Sequence, residues 1–266
     1  MLERTQQNQE KPPETRIYFI RHSRASYATY AERLSSDTPE LPIDMKNQLP
    51  DLPEAGIELA EKSAHEFLSK LNPEKDIVYI VSSTQMRAVE TAQIYVKVAQ
   101  ELGIEVVEQE SKSEEKNYVR PIETISLKNE NPILDAIFSP ARVPQEINWE
   151  AVSPETKAKY DKVRDIVLAD DKGTWGANFY AHAEEVKKII PEITTSQELY
   201  EKQYKNIERL GQFARNKSNG SKRVNILAFG HENYMSVALQ EKTGDHAIGN
   251  TETIEILEDG SVVRQS

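Results

Sequence analysis

The chain contains no cysteine, so disulfides, thiolate nucleophiles and cysteine-ligated zinc are all excluded. It has no apolar run near the ~20 residues that a membrane-spanning helix needs. Positive charge is in deficit: 33 Lys and Arg stand against 44 Asp and Glu, a formal net charge of -11. Without basic tracts, a chain of this charge is a poor general binder of nucleic acid or of an anionic membrane. An anionic substrate would have to be held by a local cluster of cations, which makes the placement of individual arginines informative. Only five histidines are present, and no His-Glu-x-x-His or comparable zinc spacing occurs among them. Internal repeats and low-complexity runs are also missing.

What remains is a globular composition, 38% hydrophobic and 29% charged over 266 residues, sufficient for one large α/β domain or for a core with a substantial insertion. Residues 1–15 are polar and carry Pro12-Pro13, which reads as a disordered leader and not as a signal peptide. A cytoplasmic location is the default expectation.

The stretch Ile17-Tyr18-Phe19-Ile20 is a strand buried on both faces of a parallel sheet, and it runs directly into Arg21-His22-Ser23. In open α/β sheets the ligand crevice lies beyond the carboxyl ends of the strands, so a histidine there is placed for chemistry. The proline-rich segment Ser35 to Pro53 is loop. From Glu54, the positions Ile57, Ala60, Ala64, Phe67, Leu68 and Leu71 recur at helical spacing until Asn72-Pro73. Ile77 to Val81 is a second buried strand. Ser83 or Thr84 then suits the N-cap of a helix whose first turn holds Arg87, whose inner face is Ala88, Ala92, Tyr95, Ala99 and Leu102, and which Gly103 stops. Ile104 to Val107 reads as a short third strand.

From residue 119 to 195 the pattern breaks up, with six prolines and both tryptophans. This reads as an insertion capping the sheet edge, since long irregular connections inside compact domains are usually functional. Ser196 to Asn216 is again helical. Val224 to Phe229 is a buried strand delivering Gly230-His231-Glu232, and Thr253 to Leu257 with Ser261 to Val263 form a closing hairpin. Three strand ends thus carry Arg21-His22, Ser83 with Arg87, and His231. Converging, they would make a phosphoryl pocket in which guanidinium forks match phosphate oxygens and imidazoles supply a nucleophile and a donor.

In this order, Arg21-His22, the Asp51-Leu52-Pro53-Glu54-Ala55-Gly56 lead into a helix, Ser83-x-x-x-Arg87-Ala88-x-x-Thr91-Ala92, Glu115-Lys116-Asn117-Tyr118 and Gly230-His231-Glu232 resemble the histidine phosphatase superfamily, the clan of phosphoglycerate mutase. The resemblance covers residues 16–118 and 196–264. It implies an α/β fold, a three-layer α/β/α sandwich with a mostly parallel central sheet, in which 16–118 and 196–266 form the core and 119–195 a helical or irregular cap. It implies further that His22 is phosphorylated, that Arg21, Arg87 and His231 bind the phosphoryl oxygens, and that an acid, Glu115 or its neighbour Glu114, protonates the leaving group. The expected activity is metal-independent phosphomonoester hydrolysis on a small phosphorylated substrate or a phosphoprotein, with no cofactor. A phosphomutase or phosphotransferase of the same fold and a catalytically inactive phospholigand- or protein-binding module are the alternatives. Arg21-His22-Ser23 departs from the family's frequent Arg-His-Gly, and the stretch around Glu115 lacks the fuller mutase pattern.

Other residues have simpler readings. His65 and His182 suit surface or structural roles, and Trp149 and Trp175 suit the insertion's own small core. Ser83 either touches phosphate or caps the helix. The oligomeric state is open.

Overall fold

The computed structural model describes residues 14–25, 52–109, 116–122, 150, 152–169, 178–179, 181–191, 193, 195–217, 221–232, 235, 239, 248–257 and 261–265. Seven strands form one sheet: β1 (Thr15–Arg21), β2 (Asp76–Ser83), β3 (Glu105–Val106), β4 (Val119–Ile122), β5 (Arg223–Gly230), β6 (Thr253–Ile256) and β7 (Val262–Gln265). Their order is β3-β2-β5-β1-β6-β7, with β4 also paired to β2. The pairs β1–β5, β2–β5, β2–β3 and β2–β4 are parallel, whereas β6 is antiparallel to both β1 and β7. The expected closing hairpin is the β6–β7 pair.

Period-two alternation sorts the side chains of the three central strands between two cores. Ile17, Phe19, Ile77, Tyr79, Val81, Val224, Ile226 and Ala228 face one side. Tyr18, Ile20, Val78, Ile80, Leu227 and Phe229 face the other. Both faces are apolar because both are covered. The second is closed by α1 (Glu54–Leu68) and α2 (Met86–Glu101), through Ala64, Phe67, Leu68, Ala92, Tyr95, Val96 and Ala99. The first is closed by α3 (Pro154–Leu168), α4 (Ala183–Ile189) and α5 (Ser196–Lys217), through Tyr160, Val163, Val167, Val186, Ile207 and Ala214. The result is a three-layer α/β/α arrangement on a mostly parallel sheet.

Local chemistry sets several boundaries. Ser153 caps α3 by accepting from the Thr156 amide at 3.2 Å, with Pro154 in the first turn where its missing N–H costs nothing. Gly103 ends the α2 segment at φ +70, a conformation open to glycine. Gly211 lets α5 close onto β5, since a Cβ there would lie 2.6 Å from Ile226 Cδ1. At the amino end of the sheet, away from the site, Asp76 is fully buried and takes both prongs of Arg223 at 2.6 and 2.8 Å. Burial alone would raise the Asp76 pKa, but the bonds from Arg223, the Asn72 amide and Asn225 outweigh it and hold the carboxyl below its ordinary value.

The segment expected as an insertion, 119–195, is described only in part. Val119–Ile122 is a strand of the central sheet, and Tyr160, Val163, Val167, Val186 and Ile190 share one apolar cluster with β1, β2 and β5. The described parts of 119–195 thus supply one strand of the sheet and part of one outer layer. A four-residue strand has too short an alternation to stand out, and α3 buries only three residues, at 160, 163 and 167. Ile57, expected on the inner face of α1, is 41% exposed. Trp149 and Trp175 lie outside the described residues. No helix among the described residues is long and apolar enough to cross a membrane.

Candidate active site

The register brings the three strand ends level. Arg21 pairs with Gly230 and Ser82 with Phe229, so the residues leaving β1, β2 and β5 emerge side by side on the carboxyl edge. From that edge rise His22, Ser83 and His231, all buried, while the first turn of α2 presents Arg87 between the two histidines. Arg87 Nε donates to His22 Nε2 at 3.1 Å, and its Nη2 donates to His231 Nδ1 at 3.3 Å. The two imidazoles lie 5.1 Å apart, centre to centre, tilted by 60°. Four residues that the sequence scatters over 210 positions thus meet in one pocket.

Hydrogen bonding assigns the tautomers. His22 Nδ1 lies 2.6 Å from the Ser23 carbonyl, which can only accept, so Nδ1 carries the proton. Its Nε2 lone pair then faces the pocket. His231 Nδ1 accepts from Arg87, so its Nε2–H donates to Ser83 Oγ at 2.8 Å. Both rings are held neutral. Burial, followed by the Arg87 charge, lowers the His22 pKa to about 3 from an ordinary 6.5, against the opposing pull of the Ser23 carbonyl. The same two causes, in the same order, push His231 well below 6.5. Nucleophilic attack requires an uncharged imidazole that keeps a lone pair, and in this structure Arg87 Nε holds that lone pair.

The N-cap of α2 is Gln85, without a side-chain cap, contrary to the expectation for Ser83 or Thr84. Ser83 Oγ instead accepts from the Gln85 amide at 3.1 Å as well as from His231. It positions His231 while tying down the turn that begins the helix. Arg87 falls in the first turn as expected. Arg21 is more committed than the sequence suggests: Nη2 is 3.3 Å from Glu232 Oε2, and Nη1 donates to the Ile248 carbonyl. Its Nε is buried with no partner among the described residues, an orphaned donor of the kind an anion satisfies.

Ser23, Gly56 and Thr91 stand in the sequence motifs without an assigned role, and the structure makes them a frame around His22. Ser23 Oγ donates to the Gly56 carbonyl at 2.6 Å, and the Ser23 amide donates to Thr91 Oγ1 at 3.0 Å. Thr91 Oγ1 in turn donates to the Arg87 carbonyl at 2.7 Å. Gly56 is required by close approach, because a Cβ there would lie 2.3 Å from the Arg24 carbonyl. Asn250 Nδ2 donates to the His22 carbonyl at 3.1 Å. A polar residue in the run Gly249-Asn250-Thr251 gave no period or motif by which to find it.

Glu114 and Glu115, the candidate acids, lie outside the described residues. Flanking them, Gln109 and Asn117 pair as an isolated antiparallel bridge. His65 is exposed on α1 and His182 stands at the start of α4, in line with their structural readings. No group of three or more His, Asp or Glu among the described residues could hold a metal ion.

No family model matches this chain, and no curated protein does. Among solved structures it is similar to a phosphoglycerate mutase from Bacillus anthracis str. Sterne, at 13% identity over 96% of this chain and 93% of that one, with a TM-score of 0.45. An Entamoeba histolytica phosphoserine phosphatase gives 16% identity, 95% coverage of each chain and a TM-score of 0.41. The alpha-ribazole phosphatase of Shigella flexneri gives 16%, 94% of each chain and 0.38.

Proposed function

We propose that this chain belongs to the histidine phosphatase superfamily and hydrolyses phosphomonoesters, carried on a small molecule or a phosphoprotein, through a phosphohistidine on His22. One observation carries the reading: the Ser23 carbonyl fixes the His22 proton on Nδ1, which leaves the Nε2 lone pair facing a pocket made by Arg87 and His231.

The chemistry follows from that arrangement. A phosphoryl group entering between the imidazoles takes the Arg87 donors for its equatorial oxygens, which releases the lone pair they hold. Nε2 attacks phosphorus in line as the ester P–O bond breaks. Positive charge growing on the ring is met by the Nδ1–H bond to Ser23, and negative charge on the oxygens by Arg87 and by the orphaned Nε of Arg21. The departing alkoxide takes its proton from a carboxylic acid, for which Glu115 or Glu114 is the candidate. Water activated by the same group, now a carboxylate, then attacks phospho-His22, breaks the N–P bond and releases inorganic phosphate.

The test is to trap the intermediate. Brief incubation with an aryl phosphate followed by denaturation at alkaline pH, where phosphohistidine survives, should place a phosphoryl adduct on the peptide containing His22, and His22→Ala should abolish both adduct and hydrolysis. Hydrolysis by His22→Ala at the rate of the unmodified protein would show the reading to be wrong.

A further inference from the structure

The peptide group joining His22 to Ser23 is held at both of its polar ends by side chains from opposite sides of the site. Its carbonyl, that of His22, accepts from Asn250 Nδ2 at 3.1 Å. Its N–H, that of Ser23, donates to Thr91 Oγ1 at 3.0 Å. The next carbonyl along, that of Ser23, is the acceptor for the His22 Nδ1 proton. These bonds oppose uncompensated rotation about the Cα–C bond of His22 or the N–Cα bond of Ser23, either of which would swing the Ser23 carbonyl, the acceptor that selects the imidazole tautomer, away from the ring.

Each clamp is itself anchored. Thr91 Oγ1 donates to the Arg87 carbonyl at 2.7 Å, so the helix that carries the guanidinium also carries the stop for the peptide. Asn250 stands in a turn that local preference alone would not choose. Thr251 has φ +60, a left-handed conformation uncommon for a β-branched residue and costly to hold. The turn is kept by the Thr251 amide on the Arg21 carbonyl at 3.1 Å, and by Glu252, which takes the Gly249 amide on Oε2 and Arg264 on Oε1, both at 2.6 Å. Strain accepted beside a site and compensated by several bonds points to a role for the residue it places.

We propose that Asn250 and Thr91 are positioning residues that, by pinning the 22–23 peptide, hold His22 as its Nδ1–H tautomer with Nε2 facing the phosphoryl pocket. Neither touches the reacting atoms. Misorientation of a nucleophile on the scale of an ångström costs up to about 100-fold in rate while leaving the binding groups in place, so these residues act on kcat and not on KM. The proposal rests on the phosphohistidine reading for its kinetic consequence, but its structural claim stands apart from it.

The experiment compares the unmodified protein with Asn250→Ala, Thr91→Val and Thr91→Ser, the last keeping the hydroxyl. Ring nitrogens of His22 are followed by NMR on protein labelled with 15N-histidine, and kcat and KM are measured on an aryl phosphate alongside the thermal midpoint. In Asn250→Ala and Thr91→Val, His22 should pass from a single Nδ1–H tautomer to a mixture, and kcat should fall about 10- to 100-fold with KM changed less than about twofold. Thr91→Ser should restore both. Folded Asn250→Ala and Thr91→Val proteins that keep the single tautomer would overturn the proposal, as would a kcat loss that only follows the thermal midpoint. Should Thr91→Val fail to fold, Asn250→Ala decides alone, since its backbone turn is held by Thr251 and Glu252. If the unmodified protein forms no phosphoenzyme, the phosphatase reading fails while the tautomer comparison in the ligand-free protein still decides this one.

Discussion

Arg87 Nε donates to His22 Nε2 at 3.1 Å, so the guanidinium occupies the lone pair that the proposed chemistry uses. The bond, with a charged donor, is worth about 2 kcal/mol net, and exchanging its neutral acceptor for the anionic oxygens of a phosphate is favourable. In the proposed chemistry Arg87 is thus both the resting partner of His22 and the receiver of the phosphoryl group. Arg87→Lys keeps the charge but loses the fork that spans His22 and His231. Its kcat/KM should fall by roughly 10²- to 10³-fold, measured on an aryl phosphate. A change under about threefold would remove Arg87 from the phosphoryl pocket.

The depressed His22 pKa has consequences of a definite sign. Folded, His22 titrates at about 3 against an ordinary 6.5, so between those values the unfolded chain binds more protons and stability rises with pH. The contribution is complete above 6.5 and is lost as pH falls toward 3. The urea midpoint should drop steadily below pH 6.5, and the His22 ring resonances of the folded protein should show no titration between pH 8 and 5. A normal titration near 6.5 would contradict the buried, Arg87-facing placement.

Glu232 and Arg21 form a partly buried pair, with Nη2 and Oε2 3.3 Å apart and side chains 17% exposed for Arg21 and 10% for Glu232. Replacing one member of such a pair by a neutral group leaves the other charge uncompensated. Glu232→Gln should lower the thermal midpoint in phosphate-free buffer. Inorganic phosphate should then raise that midpoint by more than it does in the unmodified protein, because the released guanidinium faces the anion pocket. Equal shifts in the two proteins would show that Arg21 does not reach the anion.

Gly56→Ala puts a Cβ 2.3 Å from the Arg24 carbonyl and 3.2 Å from Pro53 Cδ. The obstacle is backbone, so the loop that follows His22 must shift. Overpacking of this kind costs about 1–3 kcal/mol. Urea denaturation should report that loss, and kcat should fall with it because Ser23 is held by the Gly56 carbonyl. Stability and kcat both unchanged would mean that the loop yields freely.

Sequence by itself determined the alternation of buried strands and covering helices and the set of strand-end residues. Apolar periods of two and of 3.6 record which faces a segment buries, and Ile17 to Ile20, Ile77 to Val81 and Val224 to Phe229 are long enough to show them. His22, Arg87 and His231 were legible because each stands at or just after such a strand. Tertiary structure alone decided how they meet. Register levels Arg21 with Gly230, and the carbonyl of Ser23 selects the His22 tautomer. The peptide between these residues is gripped by Thr91 and Asn250, and Arg21 is shared with Glu232. The strand β4 and the layer built by α3 and α4 also became visible only in three dimensions. The physical reason is common to all of these: they depend on single polar bonds and short packed segments between residues up to 228 positions apart, and such contacts leave no period in the chain.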